Sequence, residues 1–132
     1  MNAKDYRIGN LVHYEVEGTL ELCTLDGYDI YSMEGNQSYC DEHIPIPLTE
    51  EWLLKFGFVK NKKSKDYQMQ LETEDRWLVI MIIQDNFYPV AEQLGELSHQ
   101  RGNLFHFNCI QYVHQLQNLY FALTETELEK QR

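Results

Sequence analysis

Leu48-Thr49-Glu50-Glu51-Trp52-Leu53-Leu54-Lys55-Phe56-Gly57-Phe58 carries both ends of one short helix. Thr49 is an N-cap residue, and Glu50 and Glu51 place negative charge in the first turn, where the helix dipole favours it. Leu48 and Leu53 occupy staple positions on either side of that cap. Gly57 supplies the left-handed residue after the last turn, and Phe58 folds back onto Leu53. Trp52, Leu53 and Phe56 form the buried stripe. On both sides of this helix the chain is β-rich, so the class is α+β.

Upstream, the spacing predicts short strands. Ile8–Tyr14 enters a β-rich run through Gly9-Asn10, and Gly18 leads into Thr19–Leu25, with Leu20, Leu22 and Thr24 on one face. Asp26-Gly27 reads as a hairpin turn into a strand Tyr28-Asp29-Ile30-Tyr31. Gly35-Asn36 marks the next turn, and His43-Ile44-Pro45-Ile46-Pro47 is extended, its prolines confining it to a sheet edge. Four or five such strands predict an N-terminal SH3-like small β half-barrel over residues 1–48.

Downstream, residues 49–132 read as helix, antiparallel sheet and helix, packed with the first half as one compact unit. Tyr67, Met69 and Leu71 alternate with polar residues, and Glu74-Asp75 turns the chain into Trp77–Ile83, apolar on both faces and hence central. Asp85-Asn86 turns again into Phe87–Glu92, which Pro89 marks as an edge. Leu94–Asn103 reads as loop, and Leu104–Phe107 as one more short strand. A long C-terminal helix is expected from Asn108, which forms a capping box with Gln111, while Phe107 and Tyr112 sit at staple positions. Gly102 to Thr124 holds no charged residue. A helix without charges is covered on both sides. Its polar stripe, Gln111, Gln115 and Asn118, flanked by His114 and Gln117, therefore requires hydrogen-bond partners. These can come from the sheet, from the first half, or from a second copy, which would make the helix a homo-oligomer face.

Three of these stretches resemble a known family. Ile44–Phe58, Tyr112–Thr124 and the opening Arg7-Ile8-Gly9-Asn10-Leu11-Val12 are similar to a family of small uncharacterised proteins of gut Bacteroidetes and of their phages and mobile elements. The likeness touches the beginning, middle and end of the chain. Relatives often continue after the final Thr with Gly-Glu-Glu-Leu, where this chain has Glu125-Thr126-Glu127-Leu128. The resemblance implies a bacterial or phage cytoplasm and brings no catalytic residues.

Charge narrows the function classes. The chain of 132 residues has a formal net charge of −10. Residues 1–54 hold eleven acids against Lys4 and Arg7, and no Lys or Arg lies between Arg7 and Lys55. Such a surface repels phosphate backbones, so direct nucleic-acid binding is not expected. It attracts a basic protein partner instead. Three cysteines without framework spacing read as reduced thiols. With no apolar leader and no run long enough to span a bilayer, the chain is expected in the cytoplasm, away from membranes.

No catalytic motif is found and no cofactor is implied. Cys40 with His43 and His106 with Cys109 have ligand-like spacing for a zinc site, the least favoured of three readings. The acids Glu15, Glu17 and Glu21 could align along strands as an acid/base pair, although acidic surfaces produce such spacing by chance. The leading reading is a non-catalytic interaction module. Its partner surface combines Glu15, Glu17, Glu21 and Asp29 with Tyr28, Tyr31 and Tyr39, because aromatics among acids suit a basic or proline-containing peptide. Gln111, His114, Gln115 and Asn118 form a second candidate contact set on the helix. The alternative is an acidic mimic of nucleic acid that acts on a basic enzyme.

Overall fold

The structure, a computed structural model, describes residues 2–72, 75–93 and 103–131. The loop expected at Leu94–Asn103 lies, apart from Asn103, outside them. The class is α+β, with two antiparallel sheets and a C-terminal helix. The chain divides into two compact units. The first runs to Pro47 and includes Tyr112–Glu127; the second is Leu48–Gln111 with the residues from Leu128 onward.

In the first unit, β1 (Leu11–Val16) and β2 (Thr19–Thr24) form a hairpin, and β3 (His43–Ile44) pairs with the other side of β1, giving the order β2-β1-β3. The hairpin turn is Glu17-Gly18, both at positive φ (50° and 80°), as a two-residue turn between twisted strands requires. Helices α1 (Gly27–Gly35) and α2 (Gln37–Glu42) follow β2, and α4 (Val113–Thr124) completes the unit. Tyr6, Val12, Leu25, Met33 and Cys40 make its core.

This unit corrects the expectation of an SH3-like half-barrel, because the sheet has three strands and does not close. The residues expected as the strand Tyr28–Tyr31 are helical. Asp26 does not turn a hairpin: its carboxylate accepts the Asp29 N–H (2.9 Å) while that of Asp29 accepts the Asp26 N–H (3.0 Å). This reciprocal capping box satisfies two helix-start donors at once and outweighs the β preference of the tyrosines and Ile30. Asn36 caps α2 in turn, accepting from the Tyr39 N–H at 3.2 Å.

In the second unit, α3 (Glu50–Lys55) is the helix read from the sequence. Thr49 Oγ1 accepts the Trp52 N–H at 3.3 Å. At the other end Phe58 N–H reaches Leu53 O and Gly57 N–H reaches Leu54 O, both at 3.0 Å. That pair of bonds is the Schellman pattern, with Gly57 at φ +96°. The five-stranded sheet runs β4 (Val59–Lys60), β5 (Tyr67–Gln70), β6 (Arg76–Ile83), β7 (Asn86–Gln93), β8 (Asn103–His106) in spatial order. β6 is central, as expected. Tyr67 and Met69 pair with Ile80 and Leu78, which puts these four on one face. The Tyr67 hydroxyl donates to Glu50 of α3 at 2.9 Å.

Three further expectations are corrected. Pro89 lies on β7, between β6 and β8 and not at an edge. The β8 ladder begins at Val90, and the Pro89 carbonyl accepts the Phe107 N–H at 3.0 Å, so the missing donor falls where pairing has ended. Helix α4 begins at Val113, not near Asn108. Residues before it are extended: Ile110 N–H bonds to Phe87 O (2.9 Å), and Pro47 bridges Tyr112. Its capping residues are Tyr112 and Gln115, whose Oε1 accepts the Tyr112 N–H at 3.0 Å. Finally, the division expected at residue 48 does not hold for the C-terminal helix, which groups with the N-terminal half. Val113 N–H bonds to Ile46 O at 2.9 Å, one of the links that hold it there.

Candidate functional site

The two capped helices of the first unit bring three tyrosines to one open groove. Tyr28 and Tyr31 stand one turn apart on α1, 72% and 77% exposed, and Tyr39 projects from α2. With Ser32, Glu34 and Asn36 they line a space of about 540 Å³. Tyr39 is half-buried. Its ring packs on His43 at a centroid distance of 4.7 Å, and its hydroxyl donates to Asp29 Oδ1 at 2.6 Å.

These contacts fix the protonation states. Burial works to raise the Asp29 carboxyl, but the bonds from the Tyr39 hydroxyl and from Asp26, with nearby His43, hold it below the usual carboxylate range. The Tyr39 phenol is raised in turn, first by its bond to Asp29 and then by burial. At neutral pH the groove therefore presents aromatic faces beside a fixed carboxylate. A cationic side chain is the complementary ligand, through cation–π and charge contacts together.

Glu15, Glu17 and Glu21 lie outside the groove lining. All three are exposed on the β1–β2 hairpin, with Glu15 opposite Leu20 and Glu21 opposite Tyr14. The structure thus joins Tyr28, Asp29, Tyr31 and Tyr39 in one place and leaves the other acids on a separate element. The side-chain donor between Tyr39 and Asp29 has no sequence signal of its own, but the Asp26/Asp29 spacing of a capping box could have placed both tyrosines on a helix.

The amide stripe of α4 is occupied from within the first unit. Gln117, 2% exposed, accepts the Leu11 N–H at 2.8 Å and donates to Gly9 O at 3.3 Å. Asn118 Oδ1 accepts from Asn10 Nδ2 (2.8 Å) and Arg7 Nε (3.2 Å). The Arg7 guanidinium also pairs with both Glu127 oxygens and lies 4.2 Å from the centre of the Phe121 ring. The opening Arg7–Leu11 segment and the last helix are each other's partners. Gln115 caps its own helix and Gln111, exposed, offers its carbonyl to the Leu48 N–H at 2.9 Å. His114 is 1% exposed, between the rings of Tyr6 (4.8 Å) and Tyr112 (5.7 Å), and its Nδ1 has no hydrogen-bond partner among the described residues. Desolvation lowers its pKa to about 4, against a smaller opposing effect of Asp5.

The two zinc-candidate pairs fall in different units. Cys40 is buried in the core of the first unit. His43 Nδ1 donates to Tyr39 O at 2.8 Å, and its ring lies between Tyr14 and Tyr39. His106 and Cys109 belong to the second unit. Among the described residues no three His, Cys, Asp or Glu are grouped to hold a metal ion. Among them, too, no helix is long and apolar enough to cross a membrane. Comparison with protein-family models, with curated proteins and with solved structures gives no match.

Proposed function

We propose that this chain is a non-catalytic interaction module that holds a basic, extended segment of a partner protein in the tyrosine groove of its first unit. The observation that carries the reading is the convergence of Tyr28, Tyr31 and Tyr39 on one open groove beside the Asp29 carboxylate. Two of these rings are largely exposed, although an aromatic side chain gains most by burial, so they are surface kept available for a contact. The surrounding charge selects the partner: no Lys or Arg occurs between Arg7 and Lys55. Charge speeds the encounter with a cationic segment, and the rings supply short-range affinity.

Calorimetric titration with a Lys/Arg-rich, proline-containing decapeptide, and with its Glu-substituted counterpart, tests this. Wild type should bind the first and not the second. Each exposed cation–π contact contributes about 0.5–1 kcal/mol, so Tyr28→Ala/Tyr31→Ala should weaken binding by roughly fivefold to thirtyfold without unfolding the chain. Binding that is abolished by salt but indifferent to both tyrosines would be diffuse charge attraction, the behaviour of a nucleic-acid mimic, and would overturn the assignment.

A further inference from the structure

Every edge strand presents a row of backbone donors and acceptors that other chains can pair with, and proteins keep such edges short or guard them with Lys, Pro or bulges. β3 and β4 follow that rule, with two residues each; β3 runs into Pro45 and β4 contains Lys60. β2 does not. It is six residues long, at the edge of its sheet, with neither Lys nor Pro in Thr19-Leu20-Glu21-Leu22-Cys23-Thr24.

The register identifies the open groups. Closure by the two-residue Glu17-Gly18 turn makes Val16–Thr19 a hydrogen-bonded pair. Alternation makes Tyr14–Glu21 and Val12–Cys23 the next such pairs, which turns the N–H and C=O of Leu20, Leu22 and Thr24 away from β1. Leu20 and Leu22 are also 50% and 45% exposed, side by side on one face. Cys23, on the other face, packs against the core, which anchors the strand in this register.

We infer that the β2 edge is a second interaction surface, at which an extended segment of a basic partner adds as a fourth strand. The exposed leucines fit apolar residues at alternate positions of that segment, and Glu21 fits Lys or Arg on its opposite face. Charge opposes a second copy as occupant. Pairing two β2 strands would bring the Glu21 side chains of both copies to one seam, like charges that oppose each other. This surface is separate from the tyrosine groove and stands on different residues.

The test is amide hydrogen exchange by NMR on the full chain, with a capped octapeptide of alternating Lys and Val. Saturating peptide should slow exchange of the Leu20, Leu22 and Thr24 amides by about tenfold or more, leaving Tyr28 and Tyr31 to report on the groove separately. The same peptide N-methylated at every residue, equal in charge but with no N–H left to donate on either edge, should protect none of them. Leu20→Lys/Leu22→Lys, at exposed sites, should abolish the protection with the fold intact. Equal protection by the methylated peptide, or none by either, overturns the inference. So does protection that appears without peptide as protein concentration rises, since that would be pairing between copies.

Discussion

His114 makes the stability of the first unit pH-dependent, and the size of the effect follows from its surroundings. The ring is 1% exposed between Tyr6 and Tyr112, with Nδ1 unpartnered, so charging it inside the fold is unfavourable. Its pKa falls from 6.5 to about 4 on folding. Because the folded value is the lower one, the unfolded chain takes up the proton first. Stability is complete above pH 6.5 and is lost as pH falls towards 4. At pH 5 the unfolded imidazole is almost fully protonated and the folded one about a tenth so, which amounts to a loss of about 2 kcal/mol relative to pH 7.5. Urea unfolding at both pH values should show this loss in wild type. His114→Phe keeps an aromatic ring between the two tyrosines and removes the titrating nitrogens, so its stability should change by about 2 kcal/mol less over the same interval. Equal pH dependence of the two proteins would refute the reasoning.

Other substitutions test the local arguments. Gly57→Ala forces a side chain into φ +96° and places its Cβ 2.9 Å from Gln131 Cγ, so thermal denaturation should report a loss of about 1–2 kcal/mol, partly restored by Gln131→Ala. Gln117→Leu leaves the Leu11 N–H and Gly9 C=O without partners, and denaturant melts should show a cost of about 2 kcal/mol or more. Tyr39→Phe deletes the donor to Asp29, so NMR titration should find that carboxyl moved up towards the ordinary range; an unmoved carboxyl would mean the bond is absent in solution.

How much of this was legible in the sequence depends on how local the governing interactions are. Helix α3 is readable because Thr49, Gly57 and Phe58 all bond within the same decapeptide. β5 is readable from apolar alternation and β6 from a run that is apolar on both faces, whereas the turn between β6 and β7, read at Asp85-Asn86, lies one residue earlier at Gln84-Asp85, both at positive φ, with Asn86 already in β7. The first unit is misread at Asp26, where a turn-forming dipeptide is also the start of a capping box, and the reciprocal bonds prevail over β propensity. A strand at Tyr28–Tyr31 puts the tyrosines among the binding residues on the wrong local geometry. It is helix α1, with Tyr28 and Tyr31 one turn apart, that brings them together with Tyr39. The absence of charge on α4 correctly demands partners for its amides, yet Gln117 finds its partner 106 residues away and Asn118 finds Asn10 108 residues away. Hydrogen bonds over such separations are settled by tertiary packing, so no local pattern could name Arg7–Leu11 as their source.

The central claim is that Tyr28, Tyr31 and Tyr39 together receive a cationic segment. The most direct measurement follows the tyrosine ring signals by ¹H–¹³C NMR as the Lys/Arg-rich peptide is added. The account predicts that Tyr28, Tyr31 and Tyr39 shift together along one saturable curve while Tyr67 and Tyr88 stay still. Shifts spread evenly over all nine tyrosines, or confined to residues outside the groove, would contradict it.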